Sequence, residues 1–149
     1  MLMKMIADLH IHSRFSMATS KEGTPENLDF WARKKGISLI GTGDFTHPVW
    51  REELKERLVS EGNGLYRLRD EYVKEEKPEV PGRRNTFFVV SGEISSIYKK
   101  NGKTRKVHNV ILLPGLEAAD AMAQRLEKSE IFTQMVVRFL VWTVMIFWK

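Results

Sequence analysis

Short apolar segments that alternate with helix-like segments limit the folds open to this chain. Residues 4–12 and 37–40 have the composition of strands, and residues 86–90 (Thr-Phe-Phe-Val-Val) carry the strongest strand signal in the sequence. The links between these strands and the helices beside them are short over the first 64 residues. Strands that alternate with helices through short links pack as a parallel sheet or a barrel, so the pattern predicts an α/β fold.

The predicted helices have recognisable ends. Thr24 supplies an N-cap for the first helix, and Gly36 supplies its C-terminal stop. Pro48 opens a second helix, because proline is favoured in the first turn. Within it, Glu53 and Arg57 are four residues apart, the spacing of an ion pair on one helix face.

Glycine and asparagine positions predict where the later elements turn. We expect Gly62 and Gly64 to end the second helix, and residues 65–77 then show helical spacing of their apolar side chains. The dipeptide Asn101-Gly102 lies between two strand-like segments, and this dipeptide favours a tight hairpin turn. A β-hairpin is therefore predicted around residue 101.

The composition indicates one globular domain and restricts its chemistry. The chain has 149 residues, of which 42% are hydrophobic and 29% charged, enough for a core. It has no cysteine, which excludes disulfides and thiolate zinc sites, so any metal must be held by His, Asp or Glu. The net charge of +5 weakly favours acidic partners such as nucleic acid. No apolar leader follows the first methionine, so a cytoplasmic location is expected.

The first predicted strand carries the densest set of metal-ligand residues. Successive side chains of a strand point to opposite faces, so Asp8, His10 and His12 share one face. Two imidazoles two residues apart can bind one divalent metal, and Asp8 could orient a ligating ring from behind. An isolated His-x-His is more often a pair of ordinary strand histidines, so a metal site needs partners elsewhere in the chain.

Such partners follow the other strands. Asp44 follows the second strand, Glu93 follows the third, and His108 enters a fourth. In (β/α) barrels the functional sites lie at the carboxyl ends of the strands. With His10 and His12, these residues form a nitrogen and oxygen donor set that suits Zn²⁺, Mn²⁺ or iron. Each also has an ordinary explanation, with Asp44 as a helix N-cap, Glu93 as a surface acid and His108 as a packed strand residue.

Five basic residues surround the predicted hairpin turn, and they are candidates for contacts with phosphate groups. The five are Lys99, Lys100, Lys103, Arg105 and Lys106. The alternative interpretation is a solvated hairpin tip, which the sequence favours when taken alone.

Four motifs together resemble the PHP (polymerase and histidinol phosphatase) superfamily. They are Asp8-Leu9-His10-x-His12-Ser13, Gly41-x-Gly43-Asp44, Gly92-Glu93 and Val107-His108. Within the superfamily, Arg14-Phe15-Ser16 and Gly41-Thr42-Gly43-Asp44 are most similar to endonuclease Q and its bacterial relatives. The resemblance covers residues 4–128.

The resemblance implies a fold, a cofactor and an activity. The fold is the N-terminal portion of a distorted (β/α)7 barrel, with residues 1–128 as a partial metal-dependent phosphoesterase domain. The cofactors are divalent metal ions, Zn²⁺ or Mn²⁺, up to three in a complete site. The activity is phosphodiester hydrolysis, in endonuclease Q beside a deaminated base in DNA. The implied ligands are His10, His12, Asp44, Glu93 and His108.

The sequence departs from the superfamily pattern at one position. Many members have a histidine directly after the aspartate of the second motif, and Phe45 occupies that position here. His47, two residues further along, is a candidate replacement. The histidine that the superfamily pattern implies is therefore absent at position 45.

The last segment does not fit a barrel. Residues 131–148 are almost continuously apolar and about as long as a membrane span, which suggests a tail anchor. Arg138 lies inside that stretch, where a charge is costly. The genetic code offers another explanation, because one extra adenine in codons for Glu127-Lys128 opens a second reading frame. Met and Trp each have a single codon that ends in G, and in the second frame that G begins the next codon. Gly, Asp, Asp and Glu are therefore forced directly after the positions of Met135, Trp142, Met145 and Trp148.

With permitted codons elsewhere, the second frame resembles the next segment of endonuclease Q, including its His-Ser-Asp-Gly. We therefore predict that residues 129–149 are a frameshift product and that the chain holds about half of a barrel. Such a fragment of a DNA-cleaving enzyme is expected to be inactive. The alternatives are a non-catalytic fragment with a partial metal site, tethered to a membrane or bound to a partner, and a phosphoesterase for a small phosphorylated substrate.

Overall fold

A computed structural model describes residues 5–75, 86–128 and 144–148. The helices in this part of the chain are α1 (Pro25–Lys35), α2 (Pro48–Arg57) and α3 (Leu116–Lys128), with a single 3-10 turn at Asp70–Tyr72. The strands are β1 (Ala7–Asp8), β2 (Leu39–Gly41), β3 (Leu58–Gly62), β4 (Leu65–Leu68), β5 (Phe87–Lys100), β6 (Lys103–Leu113) and β7 (Val144–Trp148).

The strands form a mixed sheet in the order β1-β2-β5-β4-β3, and β6 and β7 both pair with β5. Strands β1, β2 and β5 are parallel, whereas β3, β4 and β6 run antiparallel to their neighbours. The α/β prediction is therefore confirmed, and a parallel arrangement holds for the strands that precede the candidate ligands. The mixed sheet is compatible with part of a barrel fold.

The first two helices begin where the sequence predicts. Thr24 caps α1 by accepting a hydrogen bond from the Asn27 amide at 3.4 Å. Gly36 ends α1 with a φ of 73°, in the left-handed region that favours glycine. Pro48 opens α2 directly after its N-cap, His47.

The second helix is shorter than predicted. It ends at Arg57, and Leu58 begins a strand instead of a further helical turn. The interpretation of residues 65–77 as helical was also wrong, because residues 65–68 form β4. Asn63 and Gly64 have φ values of 54° and 76°, so they form the tight turn that pairs β3 with β4.

Two further expectations, the length of the first strand and an ion pair in α2, were wrong. The first strand is two residues long, so His10 and His12 lie in the loop that follows it. The Glu53–Arg57 pair does not form within α2. Glu53 instead accepts a hydrogen bond from Arg14 at 2.8 Å, and Arg57 contacts Glu26 of α1. Partners from other elements outcompete the helical neighbour.

The strand predicted at residues 86–90 is the beginning of a much longer one. β5 runs for 14 residues through Gly92 and Glu93 before it reaches the hairpin turn. Asn101 and Gly102 occupy that turn with φ values of 53° and 72°, which confirms the predicted hairpin. The first residues of β5, 87–89, lie between β2 and β4. The rest of β5, residues 90–100, pairs with β6.

The main core combines side chains from the sheet and from all three helices. Its fully buried side chains include Phe45, Trp50, Leu54, Phe88 and Val90. The Trp50 indole donates hydrogen bonds to the backbone oxygens of residues 42 and 43, at 3.2 and 3.0 Å. The core thereby fixes the loop that follows β2, which carries one of the candidate ligands.

Most of the predicted tail lies outside the described residues. The exception is the backbone of β7, which pairs in parallel with residues 94–98 of β5. Among the helices of the described ranges, none has both the length and the apolar character needed to cross a membrane. The frameshift origin of residues 129–149 stays a prediction.

Two glycines with left-handed backbone differ in their surroundings and provide a matched test of the fold. A Cβ on Gly43 (φ +66°) would lie 2.5 Å from the Ile11 backbone oxygen, whereas one on Gly62 (φ +86°) has open space. We expect Gly62→Ala to lower the free energy of unfolding by roughly 1 kcal/mol, from backbone strain alone. Gly43→Ala adds the overlap with Ile11 and should lower the free energy of unfolding by about 3 kcal/mol.

Urea unfolding of the full chain, followed by tryptophan fluorescence, measures both changes. Equal losses for the two variants would contradict the close approach of the loops around Gly43 and Ile11.

Candidate metal centre

Candidate ligands from β1, β2 and β5 come together at the carboxyl ends of these strands, because the three strands are parallel and in register. Asp8 of β1 lies opposite Ile40 of β2, and Gly41 lies opposite Val89 of β5. The segments that follow these positions therefore emerge side by side. They carry His10 and His12 after β1, Asp44 after β2, and Glu93 within the continuation of β5.

Three side chains form a compact group that could hold a metal ion. His10 Nε2 lies 2.7 Å from Glu93 Oε2, and His12 Nε2 lies 3.8 Å from the same oxygen. The potential ligand atoms of the three residues all lie within 4.8 Å of one another. Two donors bound to one zinc ion at about 2.1 Å and a tetrahedral angle are about 3.4 Å apart. The donor types and their separations therefore fit a divalent ion.

Asp44 lies behind His12. One of its oxygens, Oδ1, lies 3.0 Å from His12 Nδ1. The other, Oδ2, accepts hydrogen bonds from the Ser13 amide (2.6 Å), the Ser13 hydroxyl (2.7 Å) and the Ser16 hydroxyl (2.9 Å). Asp44 thus holds the Nδ1 side of the ring and directs Nε2 towards Glu93. A carboxylate that orients a ligating imidazole is common at metal sites.

The residues that surround Asp44 were not foreseen as parts of a site. Ser13 is fully buried and donates twice to Asp44, and Ser16 donates once. Ser13 belongs to the motif that resembles the PHP superfamily and Ser16 to the motif most similar to endonuclease Q, but no local pattern indicated that they bind Asp44. Asp8, the residue predicted as a candidate to orient a ligating ring, lies exposed in β1. The carboxylate that contacts the His12 ring is that of Asp44.

His108 meets Glu93 from the side opposite His10. Its Nδ1 contacts Glu93 Oε1, whereas Oε2 faces His10 and His12. The Ser95 hydroxyl lies 3.3 Å from both Glu93 Oε1 and His108 Nδ1. One carboxylate oxygen of Glu93 therefore contacts His108, and the other faces His10 and His12.

The surroundings of Glu93 keep it ionised. Burial alone would raise its pKa, but hydrogen bonds with His108 and His10 outweigh that effect, and the pKa of the carboxyl lies below its usual value. An ionised carboxylate is the form that binds a metal. Glu93 is therefore ready to act as a ligand at neutral pH.

His47 caps helix α2. Its Nδ1 accepts a hydrogen bond from the Trp50 amide at 3.3 Å, which caps α2, and its ring stacks on Phe15 at 4.1 Å. Burial lowers the pKa of His47. The Phe45 ring is buried against Gly92, where an added Cβ would lie 2.5 Å from its edge. Neither residue belongs to the three-residue group.

The five basic residues lie towards the far end of the β5–β6 hairpin. Lys99 and Lys100 end β5, and Lys103, Arg105 and Lys106 lie in the first part of β6. All five are exposed.

Comparison with known proteins relates the chain to a DNA endonuclease. No family model matches the sequence. An uncharacterised protein of Methanocaldococcus jannaschii is 55% identical over 49 residues, which are 33% of this chain and 6% of that protein. Two solved structures are also similar. One is the lesion-specific endonuclease Q of Pyrococcus furiosus, and the other is endonuclease Q in complex with a 27-mer duplex that carries an abasic lesion at the active site.

Both structures match this chain with a TM-score of 0.58 and 28% identity, over 81% of this chain and 25% of theirs. The chain therefore spans about a quarter of endonuclease Q. The structural likeness supports the relationship to endonuclease Q that the motifs predicted. Membership of the wider PHP superfamily stays a prediction.

The lowered pKa of Glu93 predicts how stability depends on pH in the metal-free protein. Its folded value lies below the unfolded value of 4.5, so the stabilisation is present above pH 4.5 and is lost as the pH falls through the folded pKa. Glu93→Gln removes this contribution, so the variant should lose less stability between neutral and acid pH. Urea midpoints measured across that range in EDTA test this, and parallel profiles would contradict it.

Proposed function

We propose that this chain forms the N-terminal part of a metal-dependent endonuclease that cleaves DNA next to deaminated bases. The observation that carries the proposal is the group of His10, His12 and Glu93, whose ligand atoms lie within 4.8 Å of one another in a fold similar to endonuclease Q. The solved complex of endonuclease Q with a lesion-containing duplex supports DNA as the substrate class.

The three residues of the group would hold a divalent ion, Zn²⁺ or Mn²⁺, and His108 would contribute from the other side of Glu93. When bound, such an ion supplies an activated water and neutralises charge on phosphoryl oxygens. The residues of the protein position and charge the site. Asp44 fixes the ring of His12, and the ionised Glu93 provides negative charge at the centre of the group.

The group is open on one side. The side chains of His10 and His12 are 51% and 37% exposed, whereas that of Glu93 is 12% exposed. An open face leaves space for a phosphodiester, but it also leaves the site in contact with water. We infer that parts of a complete enzyme beyond this chain would cover the face and add ligands, and that this chain alone is inactive.

Metal binding by the chain is the first test. We expect His10→Ala, His12→Ala and Glu93→Gln each to weaken Zn²⁺ binding at least tenfold, because each removes a ligand. Asp44→Asn should weaken it by roughly 10-fold to 100-fold through loss of ring orientation. Competition with a chromogenic chelator measures the affinities.

His47→Asn is the matched control, because it removes a histidine close to the site and retains a side chain that can cap α2. Its Zn²⁺ affinity should equal that of the unaltered chain. If Glu93→Gln also binds Zn²⁺ as tightly as the unaltered chain, the group is not the metal site.

Sequencing of the gene across codon 128 tests the proposed origin of the tail. An extra adenine, or an open frame in the shifted register that encodes further histidines and aspartates, would support a frameshift. A confirmed stop after Lys149 with no such frame would make the tail genuine.

Cleavage of a labelled duplex with one deoxyuridine or deoxyinosine, in Mn²⁺, tests the activity. We expect no cleavage by the present chain and cleavage by a chain extended through the shifted frame, with an undamaged duplex as control. Cleavage by the present chain would contradict its inactivity. An extended chain that binds metal but leaves the lesion intact would overturn the proposed function.

A further inference from the structure

The register of the β5–β6 hairpin determines which residues share a face with the metal group. The pairing is continuous from Val90–Leu113 to Lys100–Lys103, without a bulge. In an antiparallel pair, residues directly opposite each other lie on the same face, and the faces alternate along each strand. The contacts of Glu93 and Ser95 with His108 identify one of the two faces, which we term the site face.

The five basic residues of the hairpin divide between the two faces. Lys99 and Lys106 are separated from Glu93 and His108 by even numbers of residues, so they lie on the site face. Lys100, Lys103 and Arg105 lie on the opposite face by the same count. The sequence places all five around one turn, but the register puts two of them on the site face.

Three successive cross-strand pairs of the site face lead away from the metal group. They are Ser95–His108, Ile97–Lys106 and Lys99–Thr104. Each step covers two residues, or about 6.8 Å along an antiparallel strand. One strand of B-DNA advances about 3.4 Å per nucleotide, so each step corresponds to about two phosphates. The lysines are thus spaced to contact one DNA strand at intervals.

The positive charge of the hairpin segment 94–110 is not balanced by acidic residues of the same segment. Residues 94–110 include five Lys or Arg residues and no Asp or Glu. Lys99 and Lys106 are both exposed. Lysine is a flexible point charge that suits phosphate contacts without base specificity.

We propose that the backbone of a DNA strand runs from the His10, His12 and Glu93 group along the site face, where Lys106 and then Lys99 contact its phosphates. This proposal rests on the proposed function and adds the direction of the substrate strand. It also assigns no phosphate contact to Lys100, Lys103 and Arg105, which lie on the opposite face.

Two double variants with the same change in net charge test the proposal. Lys99→Gln with Lys106→Gln alters the site face, and Lys100→Gln with Arg105→Gln alters the opposite face. Binding of a fluorescein-labelled duplex with one abasic site is followed by anisotropy over a range of salt concentrations. Each phosphate contact contributes about 0.9 to the slope of log K against log salt. We expect the site-face variant to reduce the slope by about 1.8 and the opposite-face variant to leave it unchanged.

Equal reductions in the two variants would overturn the proposal, because they would show that net charge and not the face determines binding. A larger reduction in the opposite-face variant, or no salt-dependent binding by the unaltered chain, would overturn it as well. Zn²⁺ affinity, measured in parallel, separates this outcome from failure of the proposed function. Both double variants retain the metal group and should bind Zn²⁺ like the unaltered chain.

Discussion

The buried carboxylate of Asp44 connects the two loops on which the candidate site depends. It accepts three hydrogen bonds from Ser13 and Ser16, which lie in the loop after β1, and it contacts the ring of His12. Its own backbone has a φ of 44°, in the left-handed region that aspartate tolerates better than most residues. An unpaired buried carboxylate is costly, so this bonding ties the position of the histidine loop to the end of β2.

The length of β5 connects the core to the site. Phe88 and Val90, near its start, are fully buried in the core, and Glu93 lies a few residues further along the same strand. A continuous strand transmits the rigidity of the core to this carboxylate. Gly92 permits the close approach of Phe45 beside it. The aromatic residue that departs from the superfamily pattern therefore supports the strand that carries Glu93.

Local signals predicted the parts of the fold that depend on near neighbours. The ends of α1, the start of α2 and the turn at Asn101 follow from capping and turn preferences that act over a few residues. The β3–β4 hairpin was missed because Gly62 and Gly64 were interpreted as the end of a helix. Partners distant in sequence decided that region, since β4 is stabilised by pairing with β5.

Local patterns in the sequence were enough to predict which residue types gather at the site and that they lie on or just after strands, because strand and helix periodicity are local properties. His10, His12 and Glu93 were predicted on that basis as part of a set that also included Asp44 and His108. Tertiary structure alone decided that Asp44 stands behind His12, and how the basic residues divide between two faces. Those relations depend on register and on contacts between segments far apart in sequence, and no local preference encodes them.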